Sequence, residues 1–141
     1  MPQDVPPGPC KLPLPRDPRE RLLMLAVRRT ATLGLRDAAA ALMMLQLYGA
    51  NFRRPLVLLR AFVLELSLAA QGPIRFARCC SPSMTVDESE ILKVLTEVDG
   101  RPELARNALF NLTGSVYVAE ALAAARVFSR STQERVRQSA S

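Results

Sequence analysis

Proline, glycine and capping residues cut this chain into six apolar segments of helical length, and that punctuation limits the fold more than any other feature. Asp17-Pro18 is a helix start, an acid at the cap followed by proline where a missing N–H costs nothing. The first helix runs from there to about Leu33, with Leu22, Ala26, Arg29 and Leu33 on one side, and Gly34 stops it. Asp37 caps a second helix over Ala38–Tyr48, ended by Gly49. That segment is apolar all round, which predicts an interior helix. A third begins at Pro55 and stops before Gly72-Pro73, with Leu56, Leu59, Phe62, Val63 and Leu66 as its stripe. Thr85-Val86-Asp87-Glu88 carries the capping-box spacing, in which the threonine hydroxyl and the glutamate carboxylate satisfy each other's free backbone N–H groups. It opens a fourth helix that Gly100 closes. Pro102 opens a fifth, Thr113-Gly114-Ser115 breaks the chain, and Ser115 caps a sixth that reaches about Phe128.

No strand alternation and no internal repeat accompanies these segments. With 141 residues, 49% of them hydrophobic, the expected fold is all-α, a compact bundle of about six helices in a single domain over 17–128. Seven of the eleven prolines fall in the first eighteen residues, so 1–16 is expected to be a disordered, polyproline-like tail. Residues 129–141 are expected to be a polar C-terminal tail. The segments over 38–48 and 55–70 are too short or too charged to cross a bilayer, which needs about twenty apolar residues. No signal-peptide pattern precedes them, and the expected location is the cytoplasm.

Composition also narrows the chemistry. There is no histidine, which removes His-dependent triads and most catalytic zinc sites. No phosphate-cradling glycine loop, nucleophile elbow or convincing carboxylate pair is present. The expectation is therefore a protein that is not an enzyme, with no catalytic residue, no metal and no cofactor. Seventeen of the nineteen basic residues are arginine, and 1–80 carry a net +7 against −1 for 81–141. With five Phe, two Tyr and no Trp, few rings remain for base stacking, so the basic half alone does not favour nucleic acid as partner.

Two residue groups are candidate sites. Cys79 and Cys80 lie in a loop with Arg75 and Arg78, and nearby positive charge raises a thiol's thiolate fraction. The competing reading is a small packed hydrophobe beside an incidental neighbour. Arg53 and Arg54 precede Pro55 at a helix start, where guanidinium forks and free N–H groups together suit an anion. The competing reading is that Arg54 pairs with an acid such as Asp37 or Asp87, or is solvated.

The run Phe52-Arg53-Arg54-Pro55-Leu56-Val57-Leu58-Leu59-Arg60, the Cys79-Cys80 loop and Met84-Thr85-Val86-Asp87-Glu88 together resemble a family of small uncharacterised bacterial proteins classed as a domain of unknown function. The resemblance covers about residues 20–125. It implies a bacterial cytosolic helical protein and transfers no catalytic residue. Met84 to Gly114 also resembles the opening helices of a winged-helix regulator, but the next helix offers almost nothing polar to base edges and no wing follows.

Helices two, three and six are each apolar on more than one side, more than a six-helix globule has interior to bury. The leading functional expectation is thus a non-enzymatic helical interaction module that binds itself or another protein. A thiol-based redox or metal-responsive protein using Cys79 and Cys80 is one alternative. A nucleic-acid-binding regulator working through the basic N-terminal half is the other.

Overall fold

A computed structural model of the chain describes residues 8–10 and 12–140. Among them are six α-helices: α1 (Pro18–Leu33), α2 (Ala38–Tyr48), α3 (Arg53–Ala69), α4 (Val86–Glu97), α5 (Pro102–Thr113) and α6 (Ala119–Ala140). Two-residue strands β1 (Leu12–Pro13) and β2 (Ser83–Met84) pair antiparallel, Leu12 opposite Met84 and Pro13 opposite Ser83. No helix of the described residues is long and apolar enough to cross a membrane.

The caps form as the sequence dictates. The Asp17 carboxylate accepts from Arg19 N at 2.9 Å and that of Asp37 from Ala40 N at 2.9 Å. Both halves of the capping box close, Glu88 N to Thr85 Oγ1 at 3.0 Å and Thr85 N to Glu88 Oε1 at 2.9 Å. Gly114 ends α5 in the left-handed conformation, φ 71°, where a Cβ is strained.

The core joins one face of every helix. Phe62, Leu59 and Leu66 of α3 meet Phe128, Ala125 and Leu122 of α6, and α1, α4 and α5 close around them with Met24, Ile91 and Leu109. The buried face of α1 lies around Met24, Val27, Arg28 and Ala31 rather than the expected Leu22, Arg29 and Leu33, and Leu33 is exposed.

Other boundaries shift for local reasons. Helix α3 starts two residues before Pro55, so Arg53 and Arg54 lie in its first turn. Ser115 does not cap α6: its Oγ accepts from Tyr117 N at 3.0 Å, making a turn, and the helix begins at Ala119. Helix α6 then continues to Ala140, through the segment expected as a polar tail.

The N-terminal segment departs most. Gly8 N donates to Phe76 O at 3.2 Å, Leu12 and Leu14 pack on the core, and β1 pairs with β2. Residues 8–10 and 12–16 thus form a strap over the 73–84 loop; residues 1–7 and 11 of the expected tail lie outside the described residues. Extended conformers suit its prolines, and the loop supplies the backbone partner.

The expectation of an interior α2 fails. Only Ala40, Met44 and Leu47 of that helix are buried, while Leu42 and Leu45 face outward.

Candidate functional site

The loop carrying Cys79 and Cys80 is built on one arginine. The guanidinium of Arg28, wholly buried in α1, donates through Nε and Nη2 to the Glu88 carboxylate at 2.6 and 3.1 Å. Its remaining hydrogens reach three carbonyls of the loop: Arg78 at 3.2 Å, Ser81 at 3.1 Å and Ser83 at 3.0 Å. All five donors of the fork are thereby used. Glu88 itself is the box residue of α4, so one buried pair ties α1, the loop and the start of α4 together. A buried charge pair is tolerable only when its lone pairs and protons are satisfied, as here.

Carbonyls on either side of the cysteines are thus pinned, and Ser81 N donates to Arg78 O at 3.0 Å. Cys79 and Cys80 occupy the two central positions of that turn, and both are exposed. Arg29, next to the buried Arg28, grips Asp37 at 2.8 and 3.2 Å. That grip holds the Asp37 carboxyl below the usual carboxylate range and raises the Arg29 guanidinium. Arg75 serves through its backbone, its N–H donating to Asp87 at 2.8 Å and its carbonyl accepting from Thr85 Oγ1 at 2.7 Å. Arg78 contributes the carbonyl that Arg28 holds, and its side chain is exposed.

The third cysteine comes to the same loop. Cys10, exposed on the strap, has its Sγ 3.5 Å from Ser81 Oγ. Residues 10 and 81 share no sequence motif; the strap pairing brings them together. Among the described residues, no three or more His, Cys, Asp or Glu side chains are placed to hold a metal ion.

The other candidate, Arg53 and Arg54, is exposed at the start of α3. Neither acid suggested as partner for Arg54 is engaged with it: Asp37 holds Arg29, and Asp87 accepts from Arg75 N. No side chain caps this helix, so the free N–H groups are present as the anion reading requires.

A cleft of about 420 Å³ lies among Asp17, Arg19, Leu23, Leu47, Tyr48 and Thr132. Arg19 stacks over the Tyr48 ring with its Cζ 5.7 Å from the centroid. Burial pushes the Tyr48 phenol up to about 12, against an opposing pull from the Arg19 charge.

A further surface feature lies on α3. Val57 (60% exposed), Ala61, Leu64 (40%) and Leu68 (72%) follow a 4-3-4 spacing along its outer side. That is the seam spacing of a two-stranded helical contact. Arg60 and Glu65, half-buried, flank the seam on opposite sides, and neither joins an ion pair among the described residues. At its C-terminal end the seam meets a groove of about 230 Å³ lined by Glu65, Leu68, Ala69, Tyr117, Glu120 and Ala121. Tyr117 is the most exposed large apolar side chain described.

No curated protein and no solved structure matches the chain. A family model does, over residues 7–140, a span that takes in the strap and the long α6 and reaches past both ends of the 20–125 stretch that carries the sequence resemblance. With the strap, the Arg28-held loop and all six helices inside that span, the chain belongs to the Family of unknown function (DUF6628).

Proposed function

We propose that this protein is a non-enzymatic helical interaction module whose partner is a second copy of itself, paired through the outer face of α3. The observation that carries the reading is the exposed seam Val57–Ala61–Leu64–Leu68. An apolar stripe on a helix needs cover, and monomers rarely leave a contiguous one in water.

The flanking charges choose the partner and its direction. In a parallel pair of helices, the residue just before one seam position faces the partner residue five positions further on. Arg60 and Glu65 are five apart and stand on opposite sides of the seam, so two copies related by a two-fold axis place Arg60 of each against Glu65 of the other. An isologous contact of this kind closes on itself as a dimer. In an antiparallel pair the same two charges do not meet.

Affinity should be modest. Val57 to Leu68 spans about 17 Å of helix. Such a contact, even extended by Tyr117, falls at the small end of specific interfaces. Micromolar self-association is the expected regime. Light scattering across a concentration series tests it: the mass should rise from 15.5 kDa toward twice that value, and Leu64→Glu should abolish the rise. A constant monomer mass to about 1 mM, a dissociation constant weaker than any stable dimer uses, would end the reading.

A further inference from the structure

We propose that Cys10 and Cys80 are the two halves of a reversible intrachain disulfide that staples the N-terminal strap to the Cys79-Cys80 turn. This inference does not depend on the dimer. It starts from the convergence of all three cysteines of the chain on one loop from positions far apart in sequence. The strap lies down by Gly8 N to Phe76 O at 3.2 Å and by the β1–β2 pairing, which brackets Cys10 between two fixed points. Between those points, Cys10 Sγ lies 3.5 Å from the side chain of Ser81. The Cα of Ser81 is one peptide, about 3.8 Å, from that of Cys80.

The choice of Cys80 over Cys79 follows from the turn. Cys80 adjoins the residue that Cys10 touches, whereas Cys79 is one residue further along the turn from it. A bond between Cys79 and Cys80 themselves would close an eight-membered ring far from relaxed disulfide geometry. The turn is also a firm anchor, since Arg28 holds the carbonyls of both Arg78 and Ser81, so closure moves the strap rather than the loop. Cys10 and Cys80 are exposed, so oxidant and reductant reach them without unfolding.

A hydroperoxide is the co-reactant. One cysteine sulfur attacks a peroxide oxygen, the O–O bond breaks, and the released hydroxide leaves as water with the thiol proton. The resulting sulfenic acid is attacked by the second sulfur. The S–O bond breaks, the S–S bond forms, and a second water departs with the remaining thiol proton. Two thiols lose two electrons and hydrogen peroxide gains them. A dithiol reductant reverses the bond by exchange. Reduced, the strap is held by its backbone pairing and by the packing of Leu12 and Leu14; closed, the staple adds a covalent tie to both.

The test uses the full chain, reduced, then treated with hydrogen peroxide and digested without reductant. The intact mass should fall by about 2 Da as two thiols become one disulfide, and one thiol of the three should still react with an alkylating agent. The peptide containing residue 10 should be joined to the one containing 79 and 80. The cross-link should persist in Cys79→Ser and vanish in both Cys10→Ser and Cys80→Ser, exposed positions where serine leaves the fold intact. Dithiothreitol should undo it, and amide exchange over residues 8–16 should slow at least several-fold on oxidation. Loss of the link in Cys79→Ser with retention in Cys80→Ser would overturn the assignment. So would a bond between residues 79 and 80, a link only between chains, or sulfinic acid with no link at all.

Discussion

Arg28 and Glu88 meet at 2.6 Å with neither side chain exposed, sixty residues apart in sequence and at the centre of the loop that carries two of the three cysteines. The pair does three tasks at once: it completes the α4 cap, fixes the turn and fastens α1 to both. Removing one partner leaves the other charge buried and unpaired, which typically costs about 3–5 kcal/mol. Arg28→Met should therefore lower the denaturation midpoint strongly. The double change Arg28→Met with Glu88→Leu should not restore it, because the carbonyls of Arg78, Ser81 and Ser83 and the N–H of Thr85 lose their partners together. Urea unfolding of the three proteins measures this. Recovery of wild-type stability in the double variant would show that the backbone contacts contribute little.

The strap can be lifted from a single position. A Cβ at Gly8 would lie 2.7 Å from Arg75 Cβ and 3.2 Å from Thr85 Cγ2, closer than packed carbons come, and neither is the free end of a flexible chain. Gly8→Val should destabilise by about 1–3 kcal/mol, the usual range for overpacking. The loss should be local, with amide exchange rising at Leu12 and Leu14 while the α3–α6 core stays protected. Exchange monitored by mass spectrometry separates this from uniform loosening, which would contradict the local packing argument.

Tyr48 gives a pH dependence whose sign is fixed. Its phenol, raised to about 12 by burial, keeps its proton in the folded state at pH values where the unfolded chain, titrating near 10, releases it. The native state then binds more protons than the unfolded one, so stability falls as pH rises from about 10 to 12, by an amount on the order of 2 kcal/mol. Below pH 10 this contribution is complete and constant. Comparing the alkaline stability profile with that of Tyr48→Phe isolates it: the variant should lack this part of the decline. Tyrosinate absorbance in a Tyr117→Phe background should appear near pH 12.

Most of the helix ends were legible in the sequence because they depend on neighbours a few residues away. Asp17, Asp37 and the Thr85–Glu88 box each bond within three residues, and Gly34, Gly49 and Gly114 stop helices by their own backbone freedom. What could not be read depends on distance along the chain. Arg28 belongs to no local motif, and its helical spacing among Met24, Val27 and Ala31 is the one signal that marks it as inward. The strap was hidden because proline density speaks of conformation and not of contacts. The apolar excess of α3 was legible, but its outward residues were not: apolar side chains on every side of a helix give no direction, and only packing shows which of them the fold leaves uncovered.

The pairing of α3 with a second copy is tested most directly by reversing its two flanking charges separately and then mixing the products. In Arg60→Glu both contacts across the two-fold become acid against acid, and in Glu65→Arg both become base against base. Each variant alone should self-associate about tenfold more weakly than the parent, roughly 1.4 kcal/mol of repulsion and lost attraction. Mixed in equal amounts, the two meet with opposite charges at both positions. Light scattering of the mixture should then return at least the dimer mass of the unmodified chain at the same total concentration. A mixture that scatters as the average of its two components, or single variants that dimerise as well as the parent, would contradict a parallel pairing through this seam.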